Sequence, residues 1–144
     1  MGLRDAILSP EKKAAVIADC TTLIDEEVAG KGGLSGLAVK AAYGAVKGIK
    51  PGFIKHVVEK LLPEFTDALD PLWDEGQAKG NPAAHLVEHR SRAAEALLEV
   101  TDAKAKGASG IVKSSYDKLR GSAKKHVEEA VPRLSKVIEK HVNA

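Results

Sequence analysis

The stretch SGLAVKAAYGAVKGIKPG (residues 35–52) decides the fold. Val39, Ala42 or Tyr43, Val46 and Ile49 return at steps of three and four, the period of one face of an α-helix. Lys50-Pro51-Gly52 then closes the segment, because proline cannot continue the ladder of backbone bonds and glycine readily leaves it. The same grammar reappears downstream in SGIVKSSYDKLRGS (residues 109–122), where Ser-Gly again opens the segment and Tyr116 follows Lys113 as Tyr43 follows Lys40.

The pattern extends in both directions. Ser9-Pro10-Glu11 combines a capping residue, a proline at the first turn and an acid at the positive end of the helix dipole. Ile17, Cys20, Ile24 and Val28 follow at helical steps up to the glycines at 30–33. A third segment starts at Phe53 and carries Ile54, Val58, Leu61, Phe65, Leu69 and Leu72 on one stripe, with a kink expected at Pro63. Further matches then fall in the same order. Asn81-Pro82 answers Ser9-Pro10, Gly121 answers Gly48, Lys125-His126-Val127 answers Lys55-His56-Val57, and Pro132 answers Pro63, at offsets of 69–73 residues. The expectation is an all-α chain of about six helices forming one compact bundle-like domain over 1–144. It is built from two pseudo-symmetric three-helix repeats, about 9–75 and about 81–142, that share a core. Gly44 and Gly48, four apart, predict close approach of a neighbouring helix. A core of Leu, Val, Ile and Ala, with aromatics at only 3%, predicts close helix packing and argues against a large preformed cavity.

Composition removes several classes of function. The chain has 144 residues, 44% hydrophobic and 29% charged, which is globular rather than disordered. Twenty-two Lys and Arg face 20 Asp and Glu, so the net charge of +2 lacks the basic excess of a dedicated nucleic-acid binder. So few aromatic rings also leave no stacking platform for single strands. Cys20 is the single cysteine, so no intrachain disulfide forms. No apolar run approaches the roughly 20 residues of a membrane span, and the first residues lack a signal-peptide core. The expected setting is cytoplasmic.

The motifs carry little chemistry. His85-Leu86-Val87-Glu88-His89 is an H-x-x-E-H string, which in inverted zinc peptidases supplies two metal ligands and a general base. It stands as the alternative reading, a metal-dependent hydrolase using His85, Glu88 and His89, against the expectation of a non-enzyme with no cofactor. His56/Glu59 and His126/Glu129 have helical i, i+3 spacing suited to structural pairing. Gly30-Lys31-Gly32-Gly33 has neither the phosphate-loop nor the dinucleotide spacing.

One polar feature recurs. Lys40, Tyr43 and Lys47 lie along one helix side, and Lys113, Tyr116 and Arg120 repeat them. Five lysines face Glu59 alone within residues 38–60, so each stripe lies in a locally basic segment. The leading expectation is a non-catalytic binding or scaffold protein that presents these six residues to an anionic partner, either an acidic protein surface or a phosphate-bearing ligand. In the bland alternative the lysines cover the solvent side and the phenol groups bond at a helix junction. A purely structural homo-oligomer is a third reading.

Gly32-Gly33-Leu34-Ser35-Gly36, Val39-Lys40-Ala41-Ala42-Tyr43, Lys50-Pro51-Gly52-Phe53 and Leu61-Leu62-Pro63 together resemble a family of small, all-helical, actinobacterial-type bacterial proteins with no assigned activity. The resemblance covers most of the chain. It implies a cytoplasmic helical protein and carries over no catalytic or binding residue.

Overall fold

The computed structural model describes residues 3–143, with the backbone alone described at Leu34 and Ser35. The described chain is all-α. Its helices are α1 (Leu3–Ile7), α2 (Pro10–Ala29), α3 (Gly33–Lys47), α4 (Phe53–Ala78), α5 (Pro82–Glu88), α6 (Arg90–Ala105) and α7 (Gly110–Val142). None of these helices is long and apolar enough to cross a membrane.

The punctuation works largely as its chemistry demands. Ser9 is extended and its carbonyl accepts the N–H groups of Lys12 and Lys13, with Pro10 at the first helical position. Asn81 does more, because its side-chain oxygen also accepts the Ala84 N–H at 3.1 Å. Gly52, at φ +74°, supplies the left-handed turn that separates α3 from α4. The corresponding region of the second half, Gly121-Ser122-Ala123-Lys124, has no proline and no left-handed glycine, so α7 runs unbroken through it for 33 residues. The expected six helices therefore become seven. Two predicted helices merge into α7, the segment after Asn81 divides at His89, and α1 precedes the expected start. Helix α4 likewise continues through Pro63 and Pro71, since each proline removes only one backbone donor.

Helices α4 and α7 are the long walls. Helix α2 packs against both, and so do α5 and α6, while α1 bridges α4 and α7 and α3 lies mainly along α7. Among the described residues the walls do not approach each other within 8 Å of backbone, and neither does α2 approach α5 or α6. Opposite members of the ring therefore leave its centre to side chains alone. One buried cluster draws Leu3, Val16, Val58, Leu69, Trp73, Leu86, Ala93, Val131 and Ile138 from six of the helices.

The glycine expectation is overturned. A Cβ on Gly44 would meet nothing within 4 Å, and one on Gly48 only carbonyls of its own preceding turn. The close approach is at Gly76, where a Cβ would lie 2.5 Å from Pro82 Cα and 2.9 Å from His85 Cβ. Gly76 is what lets α5 fold back against the end of α4. The four-residue spacing in α3 falls on an exposed side, so spacing alone could not reveal which helix came near.

Candidate functional site

The two Lys/Tyr stripes meet carboxylates. The Tyr43 hydroxyl on α3 donates to Asp25 on α2, and Lys47 Nζ lies 3.4 Å from the same carboxylate and 5.6 Å from the Tyr43 ring centre. The Tyr116 hydroxyl on α7 donates to Asp102 on α6. Arg120 grips that carboxylate through Nε at 2.8 Å and Nη2 at 3.0 Å. Lys113 pairs with Asp117 at 3.1 Å, one turn along α7, and Lys40 is exposed with no carboxylate in ion-pair reach among the described residues. The tyrosine hydrogen bond holds Asp25 below its ordinary carboxylate range, and the Arg120 hydrogen bond does so for Asp102. Burial, reinforced by those carboxylates, raises both phenol pKa values. Each set is thus a clasp between successive helices that neutralises Lys47 or Arg120, with Lys40 outside it. Asp25 and Asp102 were the partners missing from the sequence reading. Their signal was an acid 14–18 residues before each tyrosine, on the preceding helix.

His85, Glu88 and His89 come together at the joint between α5 and α6. One potential ligand atom from each lies within 4.8 Å of the others, and the two imidazole centres are 4.3 Å apart. His85 is buried, with Nε2 3.4 Å from Glu75 Oε1. Arg92 holds that glutamate through two bonds of 3.0 and 3.1 Å and pushes its pKa down to about 2.

A third feature is one that sequence reasoning missed. The centre of the ring holds an apolar cavity of about 310 Å³, open at one side and lined from α1, α2, α3, α4, α6 and α7, with Val16, Leu62, Phe65, Leu98 and Ile138 among its walls. The expectation of close packing fails here because the walls stand apart and side chains such as Val16, Val127 and Ala130 are too short to fill the middle. Of the polar side chains in this lining, Thr66 and Thr101 spend their hydroxyls on the carbonyls of Leu62 and Leu98. The Cys20 thiol is pushed up to about 11 by burial and stays neutral.

Three further polar residues of the lining, Glu27, Lys31 and His126, also line a polar cleft of about 300 Å³ between the α2–α3 turn and α7. Lys31 is 9% exposed, and its ammonium lies 3.5 Å from Glu27 and 3.6 Å from Glu129. Arg133 pairs with Glu26 at 3.0 Å on the rim. Both ring nitrogens of His126 are buried with no hydrogen-bond partner, and Nδ1 is 3.8 Å from Glu129. Burial first, then the nearby Lys31 charge, lowers the His126 pKa and favours the neutral imidazole.

A family model spans residues 3–142, almost the whole length described above. The chain belongs to the family of unknown function DUF6918. No curated protein and no solved structure matches it. For this DUF6918 chain the candidate site therefore rests on geometry. The clasps are saturated by their own acids, whereas the central cavity and its polar mouth hold unfilled apolar space beside unpaired hydrogen-bonding atoms.

Proposed function

We propose that this DUF6918 protein is a non-catalytic binding protein for a small amphiphile. The apolar body occupies the central cavity and a hydrogen-bonding head lies against His126 and Lys31. The reading keeps the class expected from the sequence and moves the site from the helix stripes to the interior. One observation carries it: Glu27, Lys31 and His126 border both the apolar space and the polar cleft, so one molecule can satisfy both.

Magnitudes support it. The volume falls at the small end of ligand sites, about 300–1,000 Å³. Neutral His126 offers one N–H and one lone pair, which suits a head that both accepts and donates, such as a hydroxyl or a carboxylic acid. Lys31 favours the ionised carboxylate.

Calorimetric titration of the full chain with decanoic acid and with decanol tests the reading. Saturable one-to-one binding with a negative heat-capacity change is expected for both. His126→Ala should weaken both at least tenfold, and Lys31→Met should weaken decanoate alone. Absence of saturable binding by either compound overturns the proposal.

Two expectations from the sequence stand within the same proposal. A cytoplasmic setting draws on the lone Cys20. An internal duplication over about 9–75 and 81–142 draws on the recurrence of the clasps, Asp25/Tyr43/Lys47 and Asp102/Tyr116/Arg120.

A further inference from the structure

We propose that His85, Glu88 and His89 bind a divalent transition-metal ion of the zinc class, with Glu75 as the outer carboxylate that orients His85. Two imidazoles and one carboxylate are a donor set such ions favour, and three protein ligands leave a fourth position for water or another small ligand. The inference is independent of amphiphile binding.

The deciding detail is His85. Its side chain is 2% exposed, and Nδ1 is buried with no hydrogen-bond partner. Nε2 faces the Glu75 carboxylate at 3.4 Å, and Arg92 grips that carboxylate through two hydrogen bonds. An Nε2–H donated to that carboxylate leaves the Nδ1 lone pair free to bind a metal ion. A buried acceptor left unsatisfied is unfavourable, and a metal ion resolves it. A ligating histidine whose other N–H points at a carboxylate is also the usual outer-sphere arrangement of such sites.

The backbone permits closure. One ring nitrogen of each histidine and a carboxylate oxygen of Glu88 lie within 4.8 Å of one another, and donors on a tetrahedral ion with bonds of about 2.0–2.1 Å stand roughly 3.3 Å apart, so the side chains must draw in. His85 is fixed by its burial beside Gly76. Glu88 is exposed and His89 occupies the break between α5 and α6, at φ −105° and ψ 35°, so these two side chains can make the movement. The bound ion would pin the α5–α6 joint.

The test titrates untagged full-length protein with Co²⁺, follows the visible absorption bands, and then displaces the cobalt with Zn²⁺. One equivalent should bind with a tetrahedral-type spectrum. His89→Ala and Glu88→Gln should each weaken binding at least tenfold, and Glu75→Gln about tenfold. Zn²⁺ should raise the melting temperature of the wild type and leave that of His89→Ala unchanged. These variants are chosen because Glu88 is exposed and His89 is only half-buried, with circular dichroism reporting that the helices persist. No saturable binding by the wild type, or wild-type affinity in folded His89→Ala, overturns the site.

Discussion

His141 Nε2 lies 2.6 Å from Asp19 Oδ2, which ties the last turn of α7 to the middle of α2. Lys140 adds a second contact to that carboxylate at 3.1 Å, and Lys12 donates from α2 to the His141 carbonyl at 2.7 Å. The bond to His141, then Lys140, holds Asp19 below its ordinary range. A depressed carboxylate pKa stabilises the fold fully above the unfolded value, about 3.9, and loses that contribution as pH falls through the folded value. Asp19→Asn should therefore cost about 1–2 kcal/mol at pH 7, at the lower end for a charged hydrogen bond because solvent reaches Asp19. In urea melts at a series of pH values, the gap between wild type and variant should close below about pH 4. A gap that stays constant down to pH 2 would contradict this role.

His126 sets a second window with the opposite chemistry. Its folded pKa is depressed, so the unfolded chain binds the proton more readily, and stability falls as pH drops below the unfolded value near 6.5. His126→Gln should flatten the dependence between about pH 7 and 5 while leaving the acid limb due to Asp19 in place. Thermal melts across that range make the comparison. Equal slopes in the two proteins would place the proton elsewhere.

The glycines give a paired experiment. Gly44→Ala should stabilise by about 0.5–1 kcal/mol, because the new methyl meets nothing and alanine is the better helix former. Gly76→Ala forces a methyl against Pro82 and His85 and should destabilise by about 1–3 kcal/mol, the usual cost of overpacking. Denaturant midpoints measured side by side decide it. The reverse order would mean that α5 does not pack on α4 as described.

The legible part of this fold was its local chemistry. Proline, serine, asparagine and glycine placed most helix ends to within a few residues, and the apolar stripe found Val58, Leu69 and Leu72. What stayed hidden depended on the distance between elements. The Tyr43 and Tyr116 stripes were visible, but their neutralising acids sit on the preceding helices, and only folding brings Asp25 and Asp102 across. The H-x-x-E-H string was visible too, whereas Glu75 reaches His85 because Gly76 admits α5. The cavity had no local signature, since a void arises from how far apart α4 and α7 stand rather than from any residue within them.

The most direct test of an amphiphile-binding interior is a heteronuclear NMR titration of the full chain with decanoate. The account expects saturable one-to-one shifts centred on Val58, Leu98, Ala130 and His126, with Tyr43 and Tyr116 little affected, and their loss in Ala130→Leu, which fills the space. Shifts that never saturate, or that persist in Ala130→Leu, would contradict it.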